Sequence, residues 1–218
     1  VEFSNASNPF SGTTVTAGTP GSIGGTTTQT SVAFNSARVT SAINQMNALS
    51  TYYTSQTGTN VSITGTQTIA VASGTVAADS SAYVYNVTGW TAASGSTITV
   101  NGAANTWVVF NFGAGVTPNL NSNIVLTGGI ASDHVLYNYT GTTNLTVASN
   151  TTINGVILDK AADITVSGTV LGRVFDGKAG GTTTISASSV VRAPEPASLA
   201  VLGTAALALF GVKRRKHA

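Results

Sequence analysis

The chain has 218 residues, of which 7% are charged, with nine Lys and Arg against seven Asp and Glu and no cysteine. That length carries one domain with a buried core, and the lack of cysteine excludes disulfides, thiolate metal sites and a cysteine nucleophile together. Four of the cations stand together as Lys213, Arg214, Arg215 and Lys216, and the part from Val1 to Arg192 sets five (Arg38, Lys160, Arg173, Lys178, Arg192) against six acids (Glu2, Asp79, Asp133, Asp159, Asp163, Asp176), so it is near neutral and offers no cluster of cations to a nucleic-acid backbone.

Residues 1–34 form an N-terminal segment with room for first strands. The chain starts at Val1 without a basic-then-apolar leader, which reads either as a processed N-terminus or as the start of a fragment. Over 34–53 the apolar residues Val39, Ala42, Ile43, Met46, Leu49 and Tyr53 recur at the three-and-four spacing of one helical face, which predicts a helix packed on a sheet.

After Asn60 the pattern changes to short β-branched or aromatic runs separated by Gly, Asn, Ser or Asp, at 82–87, 97–100, 107–112, 124–126, 134–139, 145–147, 156–158, 164–166, 174–175 and 183–185. Many short strands without intervening helices mean a sandwich, a barrel or a solenoid. Repetition favours the last. Asn154-Gly155-Val156-Ile157-Leu158-Asp159 returns as Leu171-Gly172-Arg173-Val174-Phe175-Asp176 at a distance of 17, and Leu145-Thr146-Val147 returns as Ile164-Thr165-Val166 at 19. Each such period suits one coil of a β-solenoid, stacked on the next at about 4.8 Å. The expected fold is therefore all-β, a parallel β-helix-like solenoid over 35–192 with one packed α-helix.

Three residue groups raise the question of chemistry. Ser132-Asp133-His134 are adjacent, whereas a catalytic triad gathers its members from separate positions; a strand would turn Asp133 and His134 to opposite sides, and a hydrogen-bonded His at a loop-to-strand junction is the expectation. Asp159 and Asp176 fall at equivalent places of two coils, where stacked carboxylates can share a proton, serve a polysaccharide-active enzyme or hold Ca²⁺. Lys160 and Lys178 follow them within two residues, so a solvated, charge-balanced turn is the simpler expectation, with no catalytic residue, metal or cofactor. Thr26-Thr27-Thr28, Thr97-Ile98-Thr99 and Thr182-Thr183-Thr184 can supply the hydroxyl and methyl ranks of an ice-contacting surface, but they are unevenly placed, and exposed strands carry Thr in any case. Trp90, Tyr137 and Tyr139 are aromatics able to meet sugar rings, although core packing is the expected fate of Tyr137 or Tyr139, read as lying on alternate faces of one strand.

The last segment, 193–218, has its own organisation. Pro194-Glu195-Pro196 cannot be helical. A charge-free run over 197–212 follows, with Ala197, Leu199, Leu202, Leu207, Phe210 and Val212 on it, slightly short of the roughly 20 residues that span a bilayer. Lys213, Arg214, Arg215 and Lys216 close it and would stay in the cytoplasm. This order resembles the PEP-CTERM sorting signal, and that resemblance implies an exported protein, a separate C-terminal hydrophobic helix held transiently in the inner membrane, and an exosortase-like enzyme as partner.

The body from about Asn35 to Val191 resembles the choice-of-anchor A family, through Gln45-Met46-Asn47-Ala48-Leu49-Ser50, Val108-Val109-Phe110-Asn111-Phe112, Leu126-Thr127-Gly128-Gly129, Val135-Leu136-Tyr137-Asn138-Tyr139, Ile153-Asn154-Gly155 and Gly172-Arg173-Val174-Phe175. The resemblance implies surface display and adhesion within an extracellular polysaccharide or matrix, without catalysis. The latter half, around Thr152-Ile153-Asn154-Gly155, is similar to the bacterial ice-binding domain family, which makes ice the alternative ligand; a polysaccharide-active β-helix enzyme is the third reading.

Overall fold

The computed structural model describes residues 36–116, 119–178, 181–186 and 189–192. A helix, α1 (Ser36–Ser55), precedes a succession of short strands that wind coil upon coil. The first coil holds β1 (Thr59–Ile63), β2 (Gln67–Ala70) and β3 (Thr75–Val76), and the second β4 (Tyr83–Trp90) and β5 (Thr97–Asn101). The third holds β6 (Val108–Phe112), β7 (Asn119–Leu120) and β8 (Asn123–Thr127), and the fourth β9 (Val135–Tyr139) and β10 (Leu145–Val147). Next come β11 (Thr152–Asp159) with β12 (Ile164–Val166), β13 (Thr169–Asp176) with β14 (Thr183–Ile185), and finally β15 (Val190–Arg192).

Each strand pairs in parallel with its counterpart one coil away, except β3, which lies antiparallel on β4. Three sheets result. The long face runs β1-β4-β6-β9-β11-β13-β15, the narrow face β14-β12-β10-β7 and the short face β2-β5-β8. This is the expected β-solenoid with one helix. The register bears out both repeats: Gly155 pairs with Gly172, and Leu145 with Ile164. It also shows why the period fades elsewhere. Along the inward rank Thr59↔Tyr85↔Phe110↔Tyr137↔Ile157↔Val174, the steps are 26, 25, 27, 20 and 17 residues, because the corner loops differ in length while the strands stay in register.

Alternation along each strand sends every second side chain into the coil. Tyr85, Phe110 and Tyr137 stack there, with ring centroids 5.5 and 5.7 Å apart, and Ile98, Ile124, Ile153, Ile164 and Val170 fill the space beside them. Tyr139 points inward as well, two residues from Tyr137 on the same side, and Trp90 tilts against Phe112 with its Nε1 donating to Asn121. Both tyrosines are thus core residues on one side of β9, not on alternate faces, and Trp90, offered as a sugar contact, belongs to the margin of the interior.

At Gly155 the backbone adopts φ +144°, and a Cβ there would strike Tyr137 and the Val135 carbonyl. Only glycine fits. The bend carries β11 from the corner beside β8 onto the long face, so its first half, through Thr152 and Asn154, hydrogen-bonds to Asn123 and Ile124 of β8.

The helix covers the outer side of the long face, but not through the apolar stripe expected. Leu49 is 43% exposed, and Ala42, Ile43, Met46 and Tyr53 are only half-buried. The docking surface is polar. Asn86, Asn111 and Asn138 form an outward rank on β4, β6 and β9. Asn138 Nδ2 donates to Asn111 Oδ1 (2.8 Å), to the Ser50 carbonyl and to Thr54 Oγ1 (both 3.2 Å), while Asn111 Nδ2 donates to the Tyr53 carbonyl (2.7 Å). Beyond Asn138 the rank continues as Leu158 and Phe175. There the helix is held instead by Asn47 Nδ2 on the Gly177 carbonyl and by Lys160 Nζ on Thr51 Oγ1. Twenty residues rise about 30 Å, the depth of about six coils.

Candidate functional site

A parallel solenoid presents its surfaces as ladders of outward side chains, so the outward ranks are where a ligand can be met. On the narrow face, Thr146, Thr165 and Thr184 stand in register on β10, β12 and β14, with Asn119 of β7 in line before them. Neighbouring ranks add Ser167, hydrogen-bonded to Ser186 at 3.3 Å, and the Asn144-Asp163-Thr182 series, in which Asn144 Oδ1 accepts the Asp163 N–H and Asp163 Oδ1 the Thr182 N–H. The corresponding inward residues are Leu145, Val147, Ile164 and Val166, all buried. Apolar inward positions set the pleat, and the pleat aligns the threonines at about 4.8 Å from coil to coil.

The short face is broader. Its outward residues are Thr68 and Ala70 on β2, Thr97, Thr99 and Asn101 on β5, and Asn123, Val125 and Thr127 on β8, with Thr152 and Asn154 of β11 continuing it. In register this gives Thr68-Thr99-Val125 and Ala70-Asn101-Thr127. No ionisable side chain stands among these positions. The surface is one of hydroxyls, amides and methyls, half-exposed or exposed.

Of the expected threonine groups, Thr97 and Thr99 face outward on the short face and Thr182 and Thr184 on the narrow one, whereas Thr26, Thr27 and Thr28 lie outside the described residues. Unevenness along the sequence does not carry over to the narrow face. The Thr146-Thr165-Thr184 rank is regular because it follows pairing register, and its first two members were legible as the centres of the two repeated Leu/Ile-Thr-Val runs.

Asp159 and Asp176 do come together, paired across β11 and β13. They are not on a solvated turn. Both are inward-facing and buried, where the long face turns towards the narrow one. Asp159 Oδ1 accepts the N–H groups of Ala161 (3.0 Å) and Ala162 (2.9 Å), while its buried Oδ2 has no hydrogen-bond partner. Asp176 Oδ1 accepts the Lys178 N–H, and its Oδ2 the Thr183 hydroxyl. Burial raises the Asp159 carboxyl to about 6, offset in part by the two N–H donors and reinforced by the negative charges of Asp176 and Asp163. Asp176 is raised for the same leading reason. The lysines balance this pair only in part: Lys178 bonds Asp163 at 2.9 Å and acts on Asp176 as a lesser influence, and Lys160 reaches the helix. Among the described residues, no three His, Cys, Asp or Glu gather as a metal-ligand group.

Ser132, Asp133 and His134 form a short 3-10 turn rather than the start of a strand. The His134 Nδ1 is buried without a hydrogen-bond partner among the described residues. The ring stacks on Trp107, with centroids 4.1 Å apart and planes 24° from parallel. Trp107 is 48% exposed. It was legible only as the first residue of a strand-like run, because nothing local distinguishes a tryptophan turned outward from one turned inward.

Pro194, Glu195, Pro196, the apolar run and the basic cluster Lys213, Arg214, Arg215 and Lys216 lie outside the described residues. Among the described residues no helix is long and apolar enough to cross a membrane.

Comparison with known proteins agrees with this geometry. The family described as "Putative Ice-binding-like adhesive domain" matches residues 2–186. Among curated proteins none matches. Of solved structures, the ice-binding protein of the Antarctic ascomycete Antarctomyces psychrotrophicus is similar with a TM-score of 0.54 at 17% identity, over 74% of this chain and 72% of that one. At this identity the likeness speaks for the fold.

Proposed function

The chain belongs to the ice-binding-like adhesive domain family, and from that premise we propose that it is a non-enzymatic adhesive domain of the cell surface or extracellular matrix, holding polysaccharide on its flat faces. The observation that carries this reading is the short face, where Thr68, Thr97, Thr99, Asn101, Asn123 and Thr127 offer hydroxyls and amides with no charge among them. Such groups exchange hydrogen bonds with water for hydrogen bonds with sugar hydroxyls at little desolvation cost. An irregular set serves, since Val125 and Ala70 interrupt it. Asp159 and Asp176, the pair an enzyme would need, are turned into the coil, away from any polymer lying on the surface.

The second reading is ice binding, and the specific observation for it is the Thr146-Thr165-Thr184 rank. One experiment separates the two. Retention of the purified protein on exopolymer from its host, together with unaltered ice crystals near freezing, is the expected result; faceted ice with no retention on polymer would reverse the order.

Delivery is proposed on the tail alone. Pro194-Glu195-Pro196, the uncharged run through Ala197, Leu199, Leu202, Leu207, Phe210 and Val212, and Lys213 to Lys216 have the order of a PEP-CTERM signal. This supports export, transient inner-membrane anchoring and processing by an exosortase-like enzyme. The choice-of-anchor A resemblance of the body, over 35–192, supports display of that domain at the surface.

A further inference from the structure

We propose that Trp107, backed by His134, is a stacking platform for the pyranose rings of a neutral β-linked polysaccharide; this rests on the adhesive reading and names its ligand class and contact residue. The register fixes the arrangement. One position before the pairs Tyr83↔Val108 and Val108↔Val135 stand Ala82, Trp107 and His134, in line on three successive coils. His134 covers one side of the indole at 4.1 Å between centroids. On the other side the neighbour in line is Ala82, whose methyl group is too small to cover an indole.

The platform is rigid. Trp107 sits at the end of the loop from Gly102, which is tied to the loop that begins at Gly128. The Gly102 N–H donates to the Thr127 carbonyl and the Ile130 N–H to the Gly102 carbonyl, and a bridge joins Ala103 to Gly129. The Trp107 carbonyl itself accepts the Tyr83 N–H at 2.9 Å. A half-exposed tryptophan held in this way has little freedom left to lose on binding.

The chemistry of the surroundings selects the ligand. Indole is broad and apolar with an electron-rich face, and it suits the C–H face of a pyranose whose hydroxyls are equatorial. Both loops leave the short face directly after Asn101 and Thr127, which sets the hydroxyl and amide groups of that face six residues before Trp107 and seven before His134 along the chain. Arg and Lys are absent from both loops, which removes the usual partners of an acidic polymer.

The test uses the two tryptophans. With Trp90→Phe, Trp107 is the sole indole reporter, and titration with cellohexaose or chitohexaose should give a saturable change in its emission. Trp107→Ala in the otherwise native protein should weaken binding of the same oligosaccharides about tenfold or more, with unfolding temperature and far-UV circular dichroism unchanged. His134→Ala should weaken binding while raising acrylamide quenching of Trp107, and His134→Phe should restore both. A reporter that does not respond at millimolar oligosaccharide overturns the platform, as does a Trp107→Ala variant that binds like the parent. If that variant still holds host exopolymer as well as the parent does, the adhesive reading survives and only the platform falls. If the parent holds neither polymer nor oligosaccharide, both fall together.

Discussion

Asp159 carries an uncommon burden for a single side chain. Its carboxylate is inward-facing and buried, satisfied at Oδ1 by two backbone donors and unsatisfied at Oδ2. Burial lifts its pKa to about 6, above the value near 3.9 of an unfolded chain. With the folded value raised, the stabilisation is complete below pH about 4 and is lost as the pH climbs through about 6. The swing is of order 2–3 kcal/mol. Asp159→Asn retains the acceptor for Ala161 and Ala162 and removes the charge. Thermal unfolding should therefore show a variant at least as stable as the parent at pH 7.5, higher by a few degrees at about 2–4 °C per kcal/mol, and with a flatter profile between about pH 4 and 6. A variant that melts lower at pH 7.5 while keeping the slope would show that the charge is compensated by something other than those two N–H groups.

At the scale of elements, the helix is attached by an asparagine rank where an apolar stripe was expected. Asn138 makes three side-chain hydrogen bonds from Nδ2, two of them to α1, and sits wholly buried between helix and sheet. Asn111 caps the Tyr53 carbonyl, one of the last-turn acceptors without an intrahelical partner. Asparagines repeated at one outward position are a device of parallel stacking, since each amide can serve both the next coil and a passing helix. Asn138→Ala should cost about 2–4 kcal/mol, from several lost bonds and acceptors left unpaired in the interface. The loss should be local first. In hydrogen exchange, amides of Ser36–Ser55 should lose protection while those of β6 and β9 keep theirs; equal protection throughout would mean that the half-buried Ile43, Met46 and Tyr53 suffice to hold the helix.

At the scale of the whole molecule, a solenoid that presents outward ladders of hydroxyls and amides is coupled in sequence to a tail of different physics. The short face of the described residues is free of ionisable side chains, and the segment from Pro194 carries an uncharged run closed by four cations. If that tail is a processing signal, mass spectrometry of the protein taken from the host surface should give a mass lacking Phe210 and Lys213. A mature form that retains them would leave the tail as a permanent anchor, and the exosortase-like partner would drop out of the account.

Residue pattern alone determined a good deal. Runs of β-branched residues, the 17- and 19-residue returns and one helical periodicity specify a solenoid with a helix beside it, because strand and helix periods are local properties of the chain. What it left undecided was everything set by contact between coils. β1, β2, β3, β7 and β15 were not picked out, being short or lying in Thr- and Asn-rich stretches whose strand character comes from pairing with a neighbour already in place. The inward turn of Asp159 and Asp176, the helix dock on Asn111 and Asn138, and the exposure of Trp107 with burial of Tyr137 and Tyr139 likewise depend on which side of the pleat each corner delivers. Corner loops of unequal length hide that phase from the sequence, and only the parallel register, closed coil by coil, decides it.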